Sequence, residues 1–394
     1  MQYRTDQKSG NKLSVLGLGC MRFPRKLGVI DAQETERIVM GAVERGVNYF
    51  DTAYIYPGSE EALGTILAKH GVREKVYVAS KLPLVLCKNG GDFDRFFGKE
   101  LERLKTGYID YYLLHMLTDR ASWERLCGWG IREWLAEQKA GGRIRHIGFS
   151  FHGIRDEFLA LLDVYDWELC QIQYNYSDEN YQAGVAGLKK AHEKGLPVVI
   201  MEPLLGGKLA GSLPEAASEA FRRVDPAQSN AAWALRWLWE QAEVTLVLSG
   251  MSEFRQLAEN AALADSAAAG MLSDAERDAY RLVVAEFNKS YKIRCTGCNY
   301  CMPCPRGVNI PSCFAAYNTS FSLGFSAGMQ QYTTSTGATS IKPSGAGLCV
   351  QCGKCETHCP QRLPIRESLK AVRNRMEPWW YRAGVGIFRR VTGR

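Results

Sequence analysis

Four residues whose side chains exchange protons or charge stand at or just after the ends of successive apolar runs in this chain. Asp51 ends one short apolar run, Lys81 lies just past the next, and His115 ends the one after that; Tyr56 follows Asp51 by five residues. Alone, each has an ordinary reading: a helix cap, a solvated amine, a core imidazole, a packing ring. Together they are equipment for protonating a carbonyl oxygen while hydride reaches its carbon. A tyrosine hydroxyl titrates near pH ~10 in water and is a poor acid at neutrality. A lysine ammonium stabilises the tyrosinate, and an aspartate holds that lysine in place. A histidine beside the substrate oxygen orients it and shares the developing charge.

A second chemistry sits near the C-terminus. Eight of the thirteen cysteines fall in two runs: Cys295, Cys298, Cys301 and Cys304, then Cys349, Cys352, Cys355 and Cys359. Each run ends in Cys-Pro, at Pro305 and Pro360. The second, C-V-Q-C-G-K-C-E-T-H-C-P, has the C-x2-C-x2-C-x3-C-P spacing in which three thiolates hold one [4Fe–4S] cluster and the fourth ligates the other. Paired C-x2-C motifs also bind zinc, but triple runs with Cys-Pro endings favour iron–sulfur. Cys313 is spare, and His358 is superfluous where cysteines suffice. Cys20, Cys87, Cys127 and Cys170 stand singly and read as small buried hydrophobes.

The elements that must position these residues alternate. Apolar runs at Leu16-Cys20, Val47-Asp51, Val76-Ser80, Ile109-His115, Ile144-Ser150, Leu169-Gln173, Val198-Glu202 and Val244-Leu248 predict strands. Helical periodicity lies between them, at Asp31-Arg45, Asp92-Leu104, Trp123-Lys139, Tyr181-Lys194 and Gln228-Gln241. Gly46, Gly71, Gly107, Gly141 and Gly195 fit C-terminal caps. Eight strand–helix repeats over roughly 250 residues predict an α/β fold of the (β/α)8 TIM-barrel type, with the chemistry at the C-terminal strand ends. No Gly-x-Gly-x-x-Gly opens a first helix, which argues against a doubly wound sheet. A further helix over Leu272-Asn288, with Ser273 and Glu276 as a capping box, leads away from the barrel. The Ser/Thr/Gly-rich stretch from Asn318 to Gly347 reads as a surface loop. The boundary falls between a barrel at 1–285 and a cysteine domain with a basic tail at 286–394.

Three stretches carry a resemblance. N-Y-F-D-T-A-Y-I-Y-P-G-S-E-E-A-L-G from Asn48 resembles the aldo-keto reductase signature, and V-Y-V-A-S-K and Y-I-D-Y-Y-L-L-H, ending at Lys81 and His115, resemble that family's lysine and histidine motifs. The similarity runs from about residue 10 to 265. It implies an NAD(P)-dependent oxidoreductase with Tyr56 as general acid/base, Lys81 and Asp51 tuning it, and His115 positioning the carbonyl. Ser150 and Gln171 would hold the nicotinamide carboxamide, and the loop with Leu204 and Gly206 would cover the pyrophosphate. Gly250, Met251, Ser252, Gln256, Glu259 and Asn260 would meet the adenosine half. Met201 stands where many members stack a tyrosine on the nicotinamide, and Phe151 where an asparagine is common. Gly250 replaces a lysine that some relatives offer the 2′-phosphate; Arg255 is a substitute cation, so NADPH is favoured over NADH. The cysteine runs resemble the ferredoxin-type extension of an iron–sulfur subgroup of the same family, as does P-Q-R-L-P-I-R-E from Pro360. Ligation that crosses as in two-cluster ferredoxins would give one cluster Cys295, Cys298, Cys301 and Cys359, and the other Cys349, Cys352, Cys355 and Cys304.

The formal charge of +7 without a recognisable basic reader argues against nucleic acid. No signal-peptide layout or membrane-length apolar run is present, which points to the cytoplasm, where thiols stay reduced. The expected substrate is a small carbonyl or alcohol, with Phe23, Tyr54, Leu82 and Trp123 as candidate pocket residues. For the clusters two readings stand side by side: electron exchange with a ferredoxin or other electron-transfer partner, and a structural role in fastening a lid-like domain to the barrel. Two rival readings are an iron–sulfur reductase of non-carbonyl substrates and a non-catalytic, nucleotide-sensing subunit. The tail is expected to pack Trp379, Trp380 and Phe388 against the protein itself.

Overall fold

Short runs rich in β-branched and aromatic residues form strands, and eight close on themselves. In the computed structural model they are β1 (Leu16–Gly19), β2 (Tyr49–Asp51), β3 (Tyr77–Leu82), β4 (Ile109–Leu117), β5 (Ile144–Phe151), β6 (Leu169–Gln173), β7 (Val198–Met201) and β8 (Leu246–Ser249). Each pairs in parallel with its sequence neighbours, and β8 pairs with β1 to complete the barrel. The structure describes all residues except 154, 178, 212, 337–342 and 393–394; for 334 and 386–392 it describes the backbone alone. By contacts the chain divides into two units, residues 1–203 with 232–272, and residues 204–231 with 273–394. Residues 204–231 and 273–285 thus group with the cysteine region.

Within the first unit the period of two along each strand sorts side chains between two cores. Leu13, Tyr49, Ala79, Tyr111, Leu113, Leu169, Val199, Leu246 and Leu248 fill the barrel interior. Their alternate neighbours, among them Phe50, Val78, Tyr112, Leu114, Phe149 and Val198, join a larger core beneath the helices. An N-terminal hairpin, Tyr3–Thr5 with Lys12–Ser14, brings Leu13 to that interior. It is fastened by Tyr111 Oη donating to Asp6 (2.9 Å) and Asn11 donating to Tyr111 Oη (3.0 Å).

Several local expectations change. Lys81 lies inside β3 and not beyond it, because the ladder to β4 runs on through Leu82. The expected helix Trp123-Lys139 is two, Arg120–Gly128 and Ile131–Ala140. Asp119 caps the first by accepting from Ser122 N at 2.7 Å, and Gly130 at φ 83° turns the chain between them. The left-handed turn after Gly91–Leu104 falls on Lys105 (φ 52°) and not on Gly107.

In the second unit, Ser273 and Glu276 form the capping box of Asp274–Ser290, which stacks Tyr280 on Phe221 of Glu215–Arg222 (5.3 Å, edge on). The stretch read as a loop from Asn318 is instead largely helical, as the end of Ile310–Ser322 and then Phe325–Ser335; 337–342 lie outside the described residues. Its polar composition misled because one polar residue is structural. Buried Asn318 donates to Ile293 O (2.7 Å) and accepts from Ile293 N (2.9 Å). Gly328 lets the two helices close, since a Cβ there would stand 2.5–2.6 Å from Ser320. A one-turn helix, Lys354–Thr357, and two longer ones, Ile365–Met376 and Trp379–Thr392, follow. Contrary to the packed tail expected, Trp379 is 75% and Trp380 46% exposed; the Phe388 side chain lies outside the described residues. No helix is long and apolar enough to cross a membrane among the described residues.

The outward faces of β3 and β4 meet a buried carboxyl pair. Ser80 Oγ donates to Glu60 (2.6 Å) and lies 3.3 Å from Glu100, while Tyr112 Oη donates to Glu100 at 2.6 Å. Glu60 also meets Arg103 at 3.1 Å. Burial, then the neighbouring Glu60 charge, push the Glu100 carboxyl well above the usual range. The native state therefore binds a proton that the unfolded chain releases. That contribution to stability is complete below the unfolded carboxyl value and is lost as pH rises through the folded one. Glu100→Gln, which keeps the acceptor for Tyr112, should flatten the fall in melting temperature as pH rises above the ordinary glutamate value of about 4.3. Identical slopes for the variant and the parent would rule out a protonated Glu100.

Candidate active site and metal centre

The parity that fills the barrel with Tyr49, Ala79, Tyr111 and Leu113 also carries Asp51, Lys81 and His115 inward, one turn of the pleat higher. The Lys81 ammonium is fully buried and donates to Asp51 Oδ2 at 2.7 Å and to the Thr52 carbonyl at 2.6 Å. It stands 5.3 Å from the centre of the Tyr56 ring, whose edge-on partner at 5.9 Å is the His115 imidazole. The four predicted residues thus converge on one site. Burial lifts the Asp51 carboxyl above its ordinary range, against the pull of Lys81 and of a Gln171 hydrogen bond. Burial, then the Lys81 charge and then His152, hold His115 well below the usual imidazole value, so it is neutral at pH 7. Its Nδ1 is buried with no protein partner.

On the far side of the interior, Gln171 of β6 lies beside Ser150 of β5 and Val199 of β7 in the ladder. Ser150 Oγ accepts from Met116 N at 2.9 Å, which leaves its proton available. Gln171 Nε2 approaches Met201 Sδ (3.7 Å), but its buried Oε1 has no partner. An amide acceptor left open at a barrel mouth fits a carboxamide donor such as that of nicotinamide. After β8, Gln256 Oε1 accepts from Ser252 N (3.0 Å) and Asn260 reaches Ser249 Oγ (3.4 Å), while Met251 is buried. Arg255 lies 3.9 Å from Glu259. The stem of Arg22 covers Gly250, where a Cβ would meet it at 3.2 Å. Arg22 is a second cation beside the position lacking the lysine, and nothing in its sequence context marks it. Leu204 and Gly206 fall in the second unit, where a Cβ on Gly206 would meet the Thr296 carbonyl at 2.1 Å. Of the candidate pocket residues, Tyr54 packs on Phe96 (4.8 Å) and under Arg103 (4.4 Å), and Trp123 on Tyr165 and Trp167 (5.4 and 5.1 Å). Phe23 and Leu82 are buried.

In the second unit, Cys295, Cys298 and Cys301 of the first run and Cys359 of the second line a single cavity, with Ile310, Phe314 and Ile365 among its walls. Cys355 lies close enough to Cys349 and Cys304 to feel their charge. Sulfurs from different runs therefore share each neighbourhood. Among the described residues no group of three or more His, Cys, Asp or Glu side chains is gathered as for a metal ion; the four sulfurs line the walls of the cavity. Gln351, at φ 62°, donates to Cys349 Sγ from its backbone N (3.4 Å) and its Nε2 (3.2 Å). Such bonds to a ligand sulfur tune a cluster's potential. Cys313 is fully buried in the core of this unit, its thiol pushed up to about 12 by desolvation.

Known proteins match both halves. The model of the aldo/keto reductase family matches residues 15–269, and that of a 4Fe-4S dicluster domain matches residues 294–364. The uncharacterized oxidoreductase YrpG of Bacillus subtilis is 30% identical over 234 residues, covering 54% of this chain and 69% of that protein. Among solved structures, the holo form of aldo-keto reductase AKR11C1 from Bacillus halodurans superposes with a TM-score of 0.58 at 26% identity, over 72% of this chain and 96% of that one. An aldo-keto reductase from Klebsiella pneumoniae in complex with NADPH shares the fold, with a TM-score of 0.60 at 23% identity over 72% and 96%.

The buried pair is testable by itself. Lys81→Met strands the Asp51 carboxyl without its cation and should destabilise the barrel by about 3–5 kcal/mol. Asp51→Asn combined with Lys81→Met should recover most of that loss. Urea unfolding followed by tryptophan fluorescence measures both, and equal losses in the single and double variants would refute the pairing.

Proposed function

This chain belongs to the aldo/keto reductase family of oxidoreductases, and from that premise we propose that its barrel interconverts a carbonyl and an alcohol with NADPH. What supports the reading is the buried Lys81–Asp51 pair next to Tyr56, facing a neutral His115 with an open ring nitrogen. NADPH, when bound, supplies the hydride. Tyr56 lends its proton to the carbonyl oxygen, and the Lys81 ammonium stabilises the tyrosinate left behind. Asp51 anchors Lys81, so the cation cannot swing away as charge shifts. His115 bonds the carbonyl oxygen and orients it without itself giving up a charge-determining proton. Ser150 and Gln171 hold the carboxamide, Met201 covers the ring face, and Gly250, Met251, Ser252, Gln256, Glu259 and Asn260 receive the adenosine end. Arg22 and Arg255 offer the 2′-phosphate its cations. Replacing Tyr56 with Phe should lower carbonyl reduction by about 10²–10⁴-fold while NADPH still quenches tryptophan fluorescence. Unchanged turnover would eliminate this assignment.

The same proposal gives the second unit two [4Fe–4S] clusters, one held by Cys295, Cys298, Cys301 and Cys359, the other by Cys349, Cys352, Cys355 and Cys304. When bound, they supply one-electron transfer, and a ferredoxin-like protein is the matching partner. Crossed ligation makes a sharp forecast. Cys295→Ala, Cys359→Ala and the two combined should each retain about half the iron of the parent, because both residues serve one cluster. Ligation run by run would instead leave the double variant almost without iron.

A further inference from the structure

The net charge of the chain conceals a division. From residue 287 onward there are fifteen lysines and arginines against three acidic residues, and no carboxylate occurs between Glu286 and Glu356. The first 286 residues hold the other 34 basic and 39 acidic residues, and are therefore slightly negative. Excess positive charge is concentrated on the second unit's cysteine region.

Part of that charge has a definite place. On the helix Ile365–Met376, Ile365, Leu369, Val372 and Met376 are buried, whereas Arg366, Lys370 and Arg373 form an exposed stripe at i, i+4 and i+7. Arg362 extends the stripe at its N-terminal end. Arg366 is bound to Glu356 at 2.8 Å, but Arg362, Lys370 and Arg373 form no ion pair among the described residues. A shallow groove of about 430 Å³ runs between Arg362, Leu363, Arg366, Glu367 and Lys370 and reaches Gln351, the residue whose two N–H groups hold Cys349 Sγ. Beside it, Cys352 is the one exposed cysteine of the thirteen. Val350, at 56%, and Leu348, at 36%, are exposed on the same short segment.

We propose that this face, where the exposed Cys352 and a small apolar spot adjoin the groove bearing Arg362 and Lys370, with Arg373 next along the same helical stripe, is the docking surface of a small acidic one-electron carrier protein. The proposal rests on the cluster ligation given above. Complementary charge steers encounter and orients the partner, and a small apolar contact keeps the complex transient. Redox encounters lie at the low end of interface size. Docking would set the carrier's centre against Cys352, and a cluster held there would accept the one electron that the reduced carrier gives up, with no proton moved. A nucleic acid or an anionic membrane would also answer to positive charge, and exposed Trp379 and Trp380 suit a lipid surface. Neither has use for a thiolate ligand presented beside the cations, which is what favours the carrier.

The test uses the full chain with its clusters, prepared anaerobically, and an acidic plant-type [2Fe–2S] ferredoxin as probe. Binding by biolayer interferometry should weaken at least about tenfold between low and moderate salt. Arg362→Glu combined with Lys370→Glu should weaken it at least about tenfold more, with iron content, cluster absorbance and NADPH-dependent carbonyl reduction unchanged. Vesicles containing phosphatidylserine and a DNA duplex are parallel probes, and basic cytochrome c is the charge control. Equal ferredoxin affinity for parent and variant would overturn the proposal. So would charge-dependent binding of vesicles or DNA without binding of ferredoxin. Loss of iron from the parent would count against the cluster ligation and not the docking face, and Lys370→Glu alone, remote from every cysteine in sequence, separates surface charge from cluster damage.

Discussion

The Lys81–Asp51 ion pair is the constraint from which the barrel mouth is built. An ammonium with no exposure at all is sustainable only if its hydration is replaced. Here one carboxylate oxygen and one backbone carbonyl replace it, at 2.7 and 2.6 Å. Both come from the end of β2 and the residue after it, so the pair also fixes where the chain leaves the strand. That exit sets the start of the segment carrying Tyr56. Across the interior, Gln171 contributes a further hydrogen bond to Asp51, so the electrostatics of one strand end reach the side of the site fitted for an amide ligand. His115 is kept neutral first by its burial and then by the Lys81 charge, which disfavours a second cation beside it.

Positioning here is largely arithmetic in steps of two. Tyr49 and Asp51, Ala79 and Lys81, Tyr111, Leu113 and His115 point inward because each differs from the last by two residues. The intervening residues point outward into a different problem. Ser80 is the outward neighbour of Lys81, Tyr112 lies on the outward face of the strand that carries His115, and they bind Glu60 and Glu100. A polar network behind β3 and β4 therefore braces the strands that bear Lys81 and His115. Its members are tied to one another by geometry that an apolar core would not impose. A one-residue slip of either strand would break this network and at once turn Lys81 or His115 out of the barrel interior.

Much of this was legible in the sequence. The alternation of apolar runs placed eight strands, and the four residues at their ends were recognisable because a closed parallel barrel gathers its C-terminal strand ends in one place. What failed were features decided by single contacts. The stretch after Asn318 reads as a loop by composition, yet one buried asparagine bonding both backbone groups of Ile293, and one glycine allowing close approach, make it a helical pair. Arg22 was invisible because its place beside Gly250 joins residues far apart in sequence. The Glu60–Glu100 pair lay in ordinary amphipathic helices, where a carboxylate is expected to face water. Gln351 sat in plain view between two cysteines, but its left-handed backbone and its bonds to sulfur are facts of conformation.

Eight cysteines that ligated clusters as thiolates would bring negative charge into a unit with little room to solvate it, and a basic composition is one way of compensating them. Compensation alone would place cations near the sulfurs and partly buried, since attraction falls with distance and with solvent screening. Lys208, whose charge reaches Cys295, fits that description. Arg362, Lys370 and Arg373 do not: they are exposed, and each is free of a carboxylate partner among the described residues. Cations held in water and aligned along one helical stripe contribute little to the fold. Their effect is on the field outside it, which is where an incoming molecule meets the protein first.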